Sequence, residues 1–188
     1  MSLKINFLGH EFKNPIIPAS GTFGFGYEFS DLYDINILGS IALKGTTIKA
    51  RYGNPLPRIA ECPSGLINAI GLQNPGVDKV VSEELVKLDE VYKDQIIANV
   101  GGHSTYEYVE TVKKFNDSDK TFAIELNISC PNVTGGGMAF GVDPDTAYEL
   151  VKAVKEARKF ANDGCWEVQI PGKTYFNYVP FDGLQILQ

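Results

Sequence analysis

The sequence predicts an α/β fold, a β/α barrel of the TIM (β/α)8 family present as a truncated or partial barrel with an N-terminal β-hairpin. Three observations carry this. Short apolar runs alternate with amphipathic helical stretches, which implies a parallel sheet with helices outside it. The strand runs are apolar nearly throughout, as burial on both faces requires. Polar residues end strand after strand, at the edge where barrel active sites form, which favours the barrel over an open doubly wound sheet.

The opening residues Ile5-Asn6-Phe7-Leu8-Gly9 and Glu11-Phe12-Lys13-Asn14-Pro15 read as a hairpin turning near Gly9-His10. Residues 16–21 read as a strand, with a helix expected over residues 27–33, and residues 40–45 as a second strand. The stretch from Thr46 to Gly76 is long and rich in Gly, Pro and Asn, a loop of the length that is usually functional. Apolar spacing at Val77, Val80, Val81, Leu85, Leu88 and Val91 predicts a helix to about Tyr92. A third strand follows over residues 95–102. Ser104, with Glu107 three residues on, marks a helix start running to about Phe115. Residues 121–128 form a fourth strand, and Asp143 caps a helix that opens with Pro144 and reaches about Phe160.

The chain has 188 residues, 44% of them hydrophobic and 21% charged, which suits one globular domain. Its formal net charge of −6 disfavours nucleic acid as a partner. Apolar runs are too short for a membrane span, and the N-terminus lacks the apolar stretch of a signal peptide, so the expected compartment is cytoplasmic. Three cysteines without a CxxC pair and two histidines argue against a disulfide framework or a metal site.

Taken singly, the strand-end residues are weak signals. A lone lysine such as Lys44 is more often a solvated charge, and a lone Asn is usually a turn former. Their coincidence over four consecutive strands, at residues 19–22, 44, 99 and 127–132, is informative because it brings distant groups to one mouth. The sharpest segment is Asn127-Ile128-Ser129-Cys130-Pro131-Asn132, followed by Gly135-Gly136-Gly137. A thiol just past a strand end, stiffened by proline, can serve as a general base when its surroundings tune its pKa. Residues 68–76, Asn68-Ala69-Ile70-Gly71-Leu72-Gln73-Asn74-Pro75-Gly76, read either as a polar turn before a helix or as a loop offering amides to a small planar ligand.

Together Ala19-Ser20-Gly21, Leu43-Lys44-Gly45-Thr46-Thr47, Asn68 to Asn74, Ala98-Asn99-Val100 and Asn127 to Asn132 resemble the dihydroorotate dehydrogenase family in order and spacing, from about residue 3 to about residue 157. Cys130 in the base position resembles the cytosolic class 1 enzymes, and Gly136-Gly137-Met138-Ala139-Phe140-Gly141 resembles the NAD-linked class 1B catalytic subunit. The resemblance implies an oxidoreductase of pyrimidine biosynthesis that oxidises dihydroorotate to orotate with FMN. It implies that Cys130 is the catalytic base and that Ser20, Gly21, Lys44, Gly45, Asn99 and Asn127 contact FMN. Lys44, Asn68, Ala69, Ile70, Gly71, Leu72, Asn127 and Asn132 would hold the substrate. NAD, FAD and an iron–sulfur cluster are implied only through a partner subunit, an iron–sulfur flavoprotein, and the barrels would pair as a homodimer.

The family pattern is not legible after about residue 158. Residues 1–158 are expected to be the N-terminal part of the barrel and residues 159–188 a divergent tail, with Trp166 to Ile170 as one more candidate strand. A full barrel needs ~250 residues. Two other readings follow: a catalytically silent fragment, or a module like that of dihydropyrimidine dehydrogenase. Asn132 disfavours the latter, because that module carries histidine there.

Overall fold

The structure, a computed structural model, describes residues 2–7, 9–128, 138–158, 166–170 and 173–177. Strands β1 (Ile5–Phe7) and β2 (His10–Phe12) form the expected antiparallel hairpin. Phe7, His10 and Phe12 surround the ring of Phe122 with centroid distances of 5.0–6.4 Å, so the hairpin packs where the chain enters the fourth predicted strand.

Residues 16–21 run extended beside the next segment, bonding Pro18 O to Ala42 N and Ile16 O to Gly39 N, but they form no ladder. The helix expected over residues 27–33 reduces to one 3-10 turn, Tyr27–Phe29, followed by turns. The long loop carries structure of its own, an antiparallel hairpin of β3 (Ile59–Cys62) and β4 (Gly65–Asn68). All eight of these strand residues are exposed, so neither face packs and the sequence shows no alternation.

The predicted helix from Val77 is present as α1 (Val77–Lys79), a π turn (Val80–Glu84) and α2 (Leu85–Val91). Then follow β5 (Ile96–Val100), α3 (Thr105–Phe115), β6 (Thr121–Leu126), α4 (Met138–Gly141) and α5 (Pro144–Ala157). Both predicted caps form: the Ser104 hydroxyl accepts from Glu107 N at 3.3 Å, and the Asp143 carboxylate accepts from Thr146 N at 2.8 Å. Residues 166–170 are a strand, β7 (Trp166–Ile170), parallel to β6, and β8 (Lys173–Asn177) returns antiparallel. The sheet order is β5-β6-β7-β8.

The second predicted strand joins β5 through two isolated parallel bridges, Ala42 with Ile97 and Thr46 with Val100. Four steps on one side therefore face three on the other, and the extra residue is a bulge at Lys44-Gly45. Leu43 N and Thr46 N bond Ile97 O and Asn99 O of β5 in turn, while Lys44 N, on the strand's other side, bonds Gly24 O at 2.8 Å. Bulges re-aim side chains and are frequent beside active sites.

Period-two alternation sorts the sheet into two faces. Ile96, Ala98 and Val100 of β5 and Ile124, Leu126 and Ile128 of the β6 segment pack on the helices, with Leu88, Tyr108, Val112, Leu150 and Val154. The opposite face is layered along the strands. Ala42, Ile97 and Ala123 make an apolar layer toward the strand starts. One step further along, the same face carries Asn99 beside Glu125, which are register partners. The sheet is thus apolar at one end and polar at its C-terminal end, the division a barrel interior with a functional mouth requires.

Candidate active site

Four segments meet at the polar layer. Asn99, 1% exposed, donates from Nδ2 to Ser20 Oγ at 3.1 Å and to Glu125 Oε2 at 2.5 Å. Its Oδ1 is buried and among the described residues has no hydrogen-bond partner, and the same holds for Asn127 Oδ1. Two orphaned acceptors at one mouth are unusual in a native fold, where buried polar atoms are nearly always satisfied. Each can accept a hydrogen bond from an N–H donor of a bound group.

Gly45 sits at the centre. A Cβ built there would lie 2.7 Å from Leu72 Cδ1, 2.8 Å from Asn99 Oδ1 and 3.8 Å from Asn127 Nδ2, so the bulge, the 68–76 loop, β5 and the end of β6 converge on one glycine. Gly21 has φ +82°, and a Cβ there would stand 4.0 Å from Lys44 Nζ. Leu72 is the one non-glycine residue with positive φ among the described residues, at 55°, a conformation held by its surroundings rather than by preference. Helix α3 fixes the end of β6, since Tyr108 donates its hydroxyl hydrogen to Asn127 O at 2.6 Å.

The structure therefore brings together Ser20, Gly21, Lys44, Gly45, Leu72, Asn99 and Asn127. Lys44 and Ile70 line one cavity of about 570 Å³ together with Gly24, Gln73, Asn74 and Lys79. Gly71 turns at φ +76° tightly against Asn54, where a Cβ would come within 2.6 Å of Asn54 N. Asn68 and Ala69 are exposed at the base of the β3–β4 arm, and among the described residues no side-chain hydrogen bond ties Asn68 to the cluster. Cys130 and Asn132 lie outside the described residues.

Sequence reasoning gave two residues here no role of their own. Asn74 is buried and pins the ends of the loop. Glu125, 2% exposed, was legible only as part of an apolar strand. Burial pushes the Glu125 carboxyl above the ordinary carboxylate range, against the lowering effect of the Asn99 amide and the Ser20 hydroxyl. The folded chain thus holds this proton more tightly than the unfolded chain. The resulting stabilisation is fully present below the ordinary Glu range, ~4.3, and is lost as pH rises through the folded value. Glu125→Gln cannot ionise, so its melting temperature minus that of wild type should become more positive from about pH 4 to about pH 8. A pH-independent difference in melts followed by circular dichroism would contradict the raised carboxyl.

A family model described as Dihydroorotate dehydrogenase matches residues 2–171. The chain belongs to the dihydroorotate dehydrogenase family. Over 154 residues it is 55% identical to "Dihydroorotate dehydrogenase B (NAD(+)), catalytic subunit" of Anoxybacillus flavithermus, covering 82% of this chain and 49% of the relative. The protein of the same name from Malacoplasma penetrans is 54% identical, with 82% and 50% covered. Among solved structures, Eimeria tenella dihydroorotate dehydrogenase in complex with ferulenol matches with a TM-score of 0.70 at 20% identity, covering 89% of this chain and 52% of that one. That likeness concerns the fold, and it agrees with the barrel the sequence predicts. The chain spans about half the length of the curated relatives it matches. Among the described residues no helix is long and apolar enough to cross a membrane.

Proposed function

We propose that this chain forms the substrate-side half of a class 1B dihydroorotate dehydrogenase site, which oxidises (S)-dihydroorotate to orotate with FMN. The observation that carries the reading is the pair of buried acceptors without a partner among the described residues, Asn99 Oδ1 and Asn127 Oδ1, around a glycine that leaves room for a flat ring. A planar ring with N–H and C=O edges fits this donor and acceptor set. Ser20, Gly21, Lys44, Gly45, Asn99 and Asn127 would hold FMN. Lys44, Asn68, Ala69, Ile70, Gly71, Leu72, Asn127 and Asn132 would hold the substrate.

When bound, FMN supplies the two-electron acceptor for the hydride that leaves C6 of dihydroorotate. Cys130 takes the proton from C5 as general base. Lys44 places a fixed positive charge beside the substrate carboxylate and the electron-rich product state. The asparagine amides hold the ring in one orientation for the proton transfer. Electrons would then pass to NAD through a partner subunit bearing FAD and an iron–sulfur cluster, in keeping with the words "NAD(+)" and "catalytic subunit" in the relatives' names. The pairing of barrels as a homodimer and a cytoplasmic location belong to the same proposal.

An anaerobic visible spectrum tests it. The purified chain is supplied with FMN, desalted, and mixed with dihydroorotate. Flavin absorbance that survives desalting and then bleaches is the expected result. A colourless protein after desalting would show that these residues do not assemble the site by themselves. Bleaching with dihydrouracil instead of dihydroorotate would favour the dihydropyrimidine dehydrogenase reading.

A further inference from the structure

Asn99 has two amide hydrogens, and both are used inside the protein. One goes to Ser20 Oγ at 3.1 Å and the other to Glu125 Oε2 at 2.5 Å. Oε2 of Glu125 is the accepting oxygen here, whether the carboxyl is ionised or carries its proton on the other oxygen, so the face of Asn99 toward Glu125 is its nitrogen. The amide oxygen is thereby turned to the opposite side. It lies buried, without a partner among the described residues, 2.8 Å from the point where a Gly45 Cβ would stand. Glu125 is the register partner of Asn99 across the β5–β6 ladder, so this contact is built into the strand pairing and not left to a mobile side chain.

A buried carboxyl in a barrel interior is costly unless it is hydrogen-bonded. Nothing in the proposed chemistry uses Glu125 directly, since Cys130 takes the proton and Lys44 carries the charge. Its position beneath Asn99 is where a carboxyl would stand to hold an amide in one orientation. An Asn amide free to rotate by half a turn would offer nitrogen as often as oxygen to the mouth, and a ring N–H would then meet a donor half of the time.

We infer that Glu125 is a positioning residue: with Ser20 it locks the Asn99 amide so that Oδ1, and not Nδ2, is presented to a ring N–H of the bound ligand. The lock itself is a property of this chain's own residues. That the ligand is a flavin rests on the proposed function.

Two measurements separate these statements. In the ligand-free full chain, nuclear magnetic resonance of the Asn99 side-chain amide should show both Nδ2 hydrogens protected from exchange. Exchange as fast as that of a surface amide would overturn the lock, whatever the protein binds. FMN affinity is then compared among wild type, Glu125→Met and Glu125→Gln, with melting curves establishing that each is folded. Methionine fills the space but accepts no strong hydrogen bond, so FMN should bind about tenfold more weakly or worse, with its visible band shifted toward that of free flavin. Glutamine can still accept from Asn99 through its amide oxygen, and should restore affinity to within about threefold of wild type. A merely space-filling Glu125 would instead leave the folded methionine variant at wild-type affinity and spectrum, and that result overturns the proposal. A protected Asn99 amide in a wild-type chain that binds no FMN would support the lock and show that these residues do not assemble a flavin site by themselves.

Discussion

Replacing Cys130 with alanine is expected to leave FMN affinity within about threefold of wild type while slowing reduction of bound flavin by dihydroorotate ~10²–10⁴-fold, the cost of losing a positioned base. The two effects separate because the flavin contacts proposed here come from Ser20, Gly21, Lys44, Gly45, Asn99 and Asn127, whereas the thiol acts only on the C5 proton. Anaerobic stopped-flow mixing reads both, one from the flavin spectrum before mixing and the other from the bleaching rate. The pH profile carries a second signature. The base must be the thiolate, so the wild-type rate should fall as pH drops below the thiol pKa, near ~8.5 when unperturbed. Cys62 is the control. It is exposed at the tip of the β3–β4 arm, and Cys62→Ala should leave the rate unchanged. A Cys130→Ala chain that bleaches at the wild-type rate would remove the thiol from the mechanism.

The parts of this fold that obey one periodicity were legible in the sequence. Strands β5 and β6 read as apolar runs because both of their faces are buried. Helices α3 and α5 announced themselves through Ser104 and Asp143, whose side chains do cap them. Residues 16–21 and 40–45 also look like strands. Yet the first makes only isolated bonds, and the second is broken by a bulge against β5, an extra residue between Leu43 and Thr46 that no local pattern encodes. The hairpin of β3 and β4 escaped notice for the opposite reason: with both faces exposed, nothing imposes alternation on it.

Site residues divide in the same way. Ser20, Lys44, Asn99 and Asn127 stood out because polar residues ended successive strands, Gly21 and Gly45 came from the family resemblance, and the structure gathers all six at one mouth. Glu125 carried a fainter signal. Counting by twos from Ala123 to Asn127 places it on the interior face, and one charge in an otherwise apolar parallel strand needs a partner. Which partner could not be read until the register set it beside Asn99.

The largest stability effect is expected at Asn74, whose side chain closes the long loop. Asn74 is 5% exposed. Its Oδ1 accepts from Thr47 N at 3.1 Å and from Gly76 N at 3.0 Å, while Nδ2 donates to Leu72 O at 2.9 Å and to Thr47 Oγ1 at 3.0 Å. One amide thus ties the loop's entry at Thr47 to its exit at Gly76. Its backbone adds a bridge to Arg51, with N···O distances of 2.8 and 3.1 Å. Asn74→Ala keeps that bridge but strands two buried N–H groups, each costing about 1–3 kcal/mol when left unsatisfied. The sum is roughly 2–6 kcal/mol, and at ~2–4 °C per kcal/mol for a domain of this size the melting temperature should fall by roughly 4–24 °C. The damage should also reach the site. Leu72 holds its positive φ with its carbonyl bound by Asn74, and its side chain lies against Gly45, so releasing that carbonyl frees the residue to leave the mouth. Limited proteolysis should accordingly cut the variant between residues 51 and 70 faster than wild type, at a temperature where both remain folded by circular dichroism. A variant that melts within about 2 °C of wild type would mean that buried water or loop relaxation replaces the lost bonds, and that Asn74 does not hold the loop.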